Sequence, residues 1–296
     1  MKKNVKGICF TAAGGICWGL SGVTGSYLFE EKDFTAVWLV TLRMLIAGMC
    51  ILFWVGKGKR KQVFRVWKKK DTAVQQLIFG LFGMMSCQMA YFLAIQYSNA
   101  GIATVLHYLS PALVMLFFLL AEKRRPEKLE IIVLILVSMG VFLMTTHGNI
   151  HNLVISHKAL FWGIASAVFL AVYNIQPKML VEKFGSFNTV GWGMIIGGII
   201  LAPIIRIWEV PGKWDGQTIL LLIGIIFYGT IIPFGCYLRG VALLDPVKAS
   251  MFACIEPLVS VILSSVVLGK VFGVIDIFGM VCILVGVTAL AVFSKK

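Results

Sequence analysis

Charge is scarce in this chain. Asp, Glu, Lys and Arg make up 14% of its 296 residues against 59% hydrophobic ones, which argues against a soluble globule. Residues 72 to 121 carry no charged side chain, a run long enough for two helices of about 20 residues each. The arrangements that turn scarce polar residues into catalysts are missing as well. There is no His-Glu-x-x-His, no Gly-x-Ser-x-Gly and no pair of aspartates inside an apolar run, so an intramembrane enzyme has little to stand on. A phosphate-cradling Gly-Lys-Ser/Thr is absent too, which leaves ATP no seat. All seven cysteines (Cys9, Cys17, Cys50, Cys87, Cys236, Cys254 and Cys282) fall in apolar runs, with no metal-site spacing and none in an outer loop. They read as small packing residues. No cofactor is expected.

What is present is a series of apolar stretches. They predict ten spans, near 7–29, 34–56, 72–97, 100–121, 128–146, 158–177, 187–207, 217–243, 246–268 and 273–293. The first lacks a cleavage-site pattern and reads as a retained helix. The net charge of +14 is distributed by topology. With both termini cytoplasmic, inner segments hold 21 of the Lys and Arg residues and outer segments hold five: Lys32, Lys158, Arg206, Lys213 and Lys270. The remaining one, Arg43, lies inside span 2. The cluster from Lys57 to Lys70 suits anionic lipid headgroups. Topology thus accounts for the basic residues, and no nucleic-acid partner is expected.

The second half restates the first. Tyr91 leads to Ser110-Pro111 as Tyr237 leads to Glu256-Pro257, both tyrosines and both prolines being 146 residues apart (237 − 91, 257 − 111). Gly140 and Gly286 keep that offset. So do Asn99 and Asp245, each placed to cap a helix N-terminus, the latter followed by Pro246 at the first helical position. Trp18-Gly19-Leu20-Ser21 corresponds to Leu170-Ala171-Val172-Tyr173 at an offset of 152, the excess lying in the basic linker 57–71. Five helices between equivalent points would turn one half upside down relative to the other, the construction of many secondary transporters. The expected organisation is an all-α integral membrane protein of two inverted five-helix repeats. They occupy residues 1–146 and 158–296, joined by an outer loop at 147–157.

With Trp18-Gly19, Leu42-Arg43, the paired Pro111 and Pro257, and Gly140 with Gly286 in this order, the chain resembles the drug/metabolite transporter superfamily, specifically its EamA-type ten-helix carriers. The resemblance covers residues 7 to 293. It departs where such carriers often have Gly-Glu after the second proline: here Gly269-Lys270 stands, and the first half offers Glu122. The resemblance implies transport of amino acids or related small metabolites, commonly as efflux.

Arg43 and Glu256 are the charges furthest inside the predicted spans. Facing lipid, each would cost about 2.5–3.5 kcal/mol at a helix centre. Both are therefore expected to face the interior, as a gate, as a substrate-binding charge pair (Arg43 for a carboxylate, Glu256 for an amine or a proton), or as a structural tie. Whether they pair with each other is left open. Pro111 and Pro257 each delete a helical hydrogen bond, freeing the carbonyls of His107 and Ala253. Those kinks either shape a cavity or offer acceptors to a ligand. Further lining candidates are Trp18, Ser21 and Thr24 in span 1, Gln88 and Tyr91 in span 3, and His107 and Tyr108 in span 4. Tyr173, Asn174 and Gln176 in span 6 and Tyr228 and Tyr237 in span 8 complete the set. Each has interhelical hydrogen bonding or packing as its plainer alternative. Arg239 is expected to snorkel. Gly15/Gly19 and Gly193/Gly197 predict close helix contacts within a monomer. His147, His151 and His157 share an outer loop without the fixed geometry a metal needs.

The sequence reading is a carrier of small organic metabolites in the cell membrane, exporting amino acids or amino-acid-like compounds by alternating access, driven by the substrate gradient alone or by proton exchange. Its rivals are a carrier of cationic or nucleoside-like metabolites, with Glu256 as counter-charge, and a receptor or assembly protein that keeps the fold without transporting.

Overall fold

The structure is a computed structural model that describes residues 2–57, 60–123, 125–149, 153–244, 249 and 252–293. Among these every regular element is helical. The long ones are α1 (Lys2–Glu30), α2 (Ala36–Gly56), α3 (Lys70–Tyr97), α4 (Ala100–Ala121), α5 (Lys128–Thr146), α6 (His157–Ile175), α7 (Ser186–Ile204), α8 (Gly216–Val241), α9 (Ile255–Leu268) and α10 (Val274–Phe293). Eight of them, α1 to α8, are long and apolar enough to cross a membrane by length and composition. Helix α9 and the stretch Val274–Ala289 of α10 are apolar as well, each shorter than the eighteen residues such a crossing takes. The predicted ninth span begins in residues outside the described set, as do the proposed cap Asp245-Pro246 and His151. The matching cap in the first half is described: the Asn99 side chain accepts from the Ile102 backbone N–H at 3.0 Å.

Several helices are interrupted, and the interruptions recur at one spacing. In α3, residues Phe79–Met85 widen into a π-helical turn, and in α8 residues Phe227–Ile231 do the same. The second stretch lies 146 residues beyond Leu81–Met85. In each a hydroxyl reaches back five residues to a carbonyl, Ser86 to Leu81 at 2.9 Å and Thr230 to Ile225 at 3.4 Å. The predicted kinks at the prolines are breaks. Helix α4 stops at His107 and restarts at Ser110, with Tyr108 between at ψ 3°. Helix α9 starts at Ile255 after Cys254, at ψ 0°. Tyr108 and Cys254 are again 146 apart. Each proline thereby enters the first turn of a new helix, where its missing N–H costs little.

Small residues bring the helices together. A Cβ on Gly15 would lie 2.9 Å from the Ala253 carbonyl oxygen, and one on Gly19 2.9 Å from that of Glu256, so α1 rests directly on the backbone around the α9 break. Gly193 and Gly197 likewise admit Phe79 and Met85 from α3, so both glycine pairs serve packing within the chain, as expected. Gly140 and Gly279 let α5 and α10 cross backbone to backbone. One buried apolar cluster gathers Leu39, Met44, Phe79 and Phe92, and a second gathers Leu106, Val133, Met144 and Ile283. The periphery is apolar too: Phe53, Leu120, Ile135, Phe161 and Val266 are exposed. A fold apolar both inside and on its periphery, with buried polar groups in between, is solvated by lipid.

Candidate functional site

Arg43 is 3% exposed, on the buried face of α2. Its guanidinium donates to Ser21 Oγ at 3.3 Å and to Gln88 Oε1, and its carbon lies 4.3 Å from the centre of the Phe92 ring. Two neutral acceptors and an aromatic face thus hold the cation. Among the described residues no carboxylate comes within 4 Å of it.

Glu256 is 7% exposed, in the first turn of α9 behind the break. Its Oε2 accepts from Tyr108 Oη at 3.0 Å, and Tyr108 Oη also lies 3.0 Å from the Ala253 carbonyl oxygen. That carbonyl is the one Pro257 deprives of its helical donor, so the neighbouring helix supplies the replacement. One turn further on, Ser260 accepts from Thr104 at 3.3 Å, and Thr104 shares a 2.7 Å hydrogen bond with Tyr91. The Tyr91 ring stands 4.7 Å from that of His107, whose Nδ1 meets Ser166 Oγ at 3.1 Å. A buried polar track therefore links α3, α4, α6 and α9. Tyr91 and Cys87 lie within electrostatic range of both Arg43 and Glu256. The two charges themselves do not pair: each has its own neutral partners.

The structure brings Ser21, Arg43, Gln88, Tyr91, His107, Tyr108 and Glu256 into this buried region. Trp18 packs against Phe234 and Tyr237, at 5.6 and 5.5 Å between ring centres, in an aromatic group on α1 and α8 whose Tyr237 lies within electrostatic range of Tyr108. Thr24 shares a 2.7 Å hydrogen bond with Tyr228. Tyr173 leans on Phe79 at 5.4 Å. Asn174 is exposed, while Gln176 two residues on still meets α3, its amide donating to the Gln75 side chain at 2.7 Å. Arg239 is exposed with its guanidinium over the Phe10 ring, as a snorkelling side chain would be. Thr104, Phe92, Ser166 and Ser260 join the track without having been singled out. The four-residue spacings Thr104–Tyr108 and Glu256–Ser260 were the one signal in the sequence that could have found two of them.

A second arrangement was not foreseen. Among the described residues all five ion pairs sit at one end of the bundle, where α1 meets α2 and α7 meets α8. Lys32 binds Asp215 at 2.6 Å, Lys213 binds Asp33 at 2.9 Å and Lys270 binds Glu30 at 2.7 Å, tying three connections together. Arg206–Glu209 and His147–Asp276 lie at the same end. His147 is thus engaged by a carboxylate from α10, and no group of three metal-binding side chains occurs among the described residues. Phe34 and Trp38 both meet Trp214 edge to face beside the pairs, and lie tilted against each other at 5.4 Å. Hydrogen bonding to Lys32 and to the Thr218 backbone holds the Asp215 carboxyl down to about 2, and the same carboxylate raises Lys32 above its ordinary value.

Comparisons with known proteins agree with this architecture. A family model described as the EamA-like transporter family matches the chain twice, over residues 5–146 and 157–292. The uncharacterized inner membrane transporter YicL of Salmonella typhimurium is 36% identical over 296 residues, covering 100% of this chain and 98% of that protein. The threonine/homoserine exporter RhtA of Salmonella typhimurium is 24% identical over 224 residues, or 75% of this chain and 73% of the exporter. A solved crystal structure shares the fold with a TM-score of 0.61 at 15% identity, covering 96% of this chain and 95% of that one.

Proposed function

This chain belongs to the EamA-like transporter family, and on that premise we propose that it exports amino acids or amino-acid-like metabolites by alternating access. It is a multi-pass membrane transporter; the substrate, direction and mechanism are our reading. One observation carries the substrate class: two buried charges of opposite sign, Arg43 and Glu256, each solvated by neutral side chains and not by the other. A zwitterion complements two such unneutralised poles, its carboxylate toward Arg43 and its ammonium toward Glu256. The likeness to a threonine/homoserine exporter points the same way. The recurrence of π turns, helix breaks and proline positions at one offset supports two inverted five-helix halves and ten spans, and the placement of Lys and Arg supports cytoplasmic termini with the ion-paired end outside. In this reading the outer end is closed.

Reconstituted protein tests it by counterflow. Liposomes loaded with threonine or homoserine should accumulate the labelled amino acid, and an imposed pH gradient should change the rate if a proton is exchanged. Uptake of cationic amines but not of zwitterions would replace this substrate class. Folded protein that exchanges none of an amino-acid panel would overturn it. Glu256→Gln should flatten the dependence of exchange on pH, and an unaltered profile would remove Glu256 from coupling.

A further inference from the structure

Tyr108 has one hydroxyl proton and two acceptors, the Glu256 carboxylate and the Ala253 carbonyl, both at 3.0 Å. Ala253 and Glu256 are three residues apart and so share the face of the chain that Tyr108 reaches. From this competition we infer that Tyr108 is a positioning residue that transmits the protonation of Glu256 to the helix break before Pro257. The inference rests on the transport reading above only in taking Glu256 as the coupling site.

The exchange is simple. When Glu256 is ionised, Tyr108 gives its proton to the carboxylate, the stronger acceptor, and the Ala253 carbonyl is left without a donor in a buried setting. When a proton from water adds to the Glu256 carboxylate, the new O–H donates to Tyr108 Oη. The tyrosine O–H then turns to the Ala253 carbonyl, and every group is satisfied. No covalent bond other than that O–H forms, and Tyr108 keeps its own proton. An unsatisfied buried carbonyl is unfavourable, so the two protonation states favour different geometries at the break. That break adjoins α1, where Gly15 and Gly19 place its backbone against Ala253 and Glu256, so a change of angle must move α1 or be resisted by it.

The surroundings leave Glu256 as the titrating group. The ionisable neighbours on the described elements around it are Tyr108 on α4, Tyr91 and Cys87 on α3, and Cys254 just before α9, with Tyr237 of the α8 segment beside Tyr108. The α1 face against α9 presents glycines, and Arg43 is engaged elsewhere. The other half carries no copy of the device. Ser110 stands where Glu256 would be, buried with its hydroxyl unpartnered, and Cys254 stands where Tyr108 would be.

Hydrogen–deuterium exchange of the segment spanning Ala253 to Leu258, corrected for intrinsic rates, reads the break without any substrate. A failed transport assay therefore leaves this test intact. In wild-type protein, protection should fall as pH rises through the titration of Glu256. Tyr108→Phe should lose that change and stay weakly protected throughout. Glu256→Gln, whose amide can donate to Tyr108, should stay protected throughout. Pro257→Ala returns a helical N–H to the Ala253 carbonyl and should also abolish the change, with Tyr108 still in place. Wild-type protein without a pH-dependent change, or either Tyr108→Phe or Pro257→Ala retaining the wild-type change, would overturn the inference.

Discussion

Arg43 shows how a cation is kept within an apolar bundle. Its fork is divided between Ser21 and Gln88 while its plane covers Phe92, a geometry open to a guanidinium and closed to an ammonium. Arg43→Lys should therefore keep the charge and lose the arrangement. A lost charged hydrogen bond is worth about 1.5–3 kcal/mol, so the concentration for half-maximal counterflow should rise by at least about tenfold. An unchanged value would mean that Arg43 is a structural tie alone. The two interior charges were legible in the sequence because a charge within a long apolar run is expensive unless it faces inward. Their partners were not. Phe92, Ser166 and Ser260 are ordinary residues in isolation, and which of them meets Arg43, His107 or Thr104 depends on how distant helices pack. The absence of an Arg43–Glu256 pair was equally hidden, since equal depth along two helices says nothing about the separation across the bundle.

At the scale of the element, the close approach of α1 to α9 makes a sharp prediction. A methyl group at Gly19 would press on the Glu256 carbonyl and Val259 at 2.9 Å, whereas at Gly235 in α8 it would meet nothing within 4 Å. Gly19→Ala should destabilise by about 1–3 kcal/mol through overpacking. Gly235→Ala should instead stabilise by about 0.5–1 kcal/mol by removing a flexible residue from a helix. Thermal unfolding in detergent reads both, and equal shifts would deny the contact. The helices themselves were readable from apolar run length, and the breaks were half readable. Proline announces where a helical hydrogen bond is lost but not whether the helix bends or stops, and α4 stops. The π turns had no warning. Ser86 and Thr230 are unremarkable hydroxyls until a five-residue reach to Leu81 and Ile225 is seen.

For the whole molecule, the ion-paired end has a definite pH range. Asp215 is lowered from an ordinary 3.8 to about 2, so its contribution is present above the ordinary value and disappears as pH falls through about 2. Lys32 is raised, so its contribution is complete below 10.5 and disappears only as pH rises beyond its raised value. The Lys32–Asp215 bond should therefore be constant between about pH 5 and 9. Transport by Lys32→Gln should keep the wild-type pH profile while its opening rate changes. A profile altered in shape would place the sensor at this end of the protein. The same feature has a consequence of another kind. These charges meet the aqueous medium, where dissolved ions screen them over about 8 Å at physiological strength. Arg43 and Glu256 are buried, where dissolved ions screen far less. On the alternating-access reading proposed above, closure at the rim would depend on the salinity of the fluid bathing it and recognition in the interior would not, so added salt should quicken opening and leave substrate preference as it was.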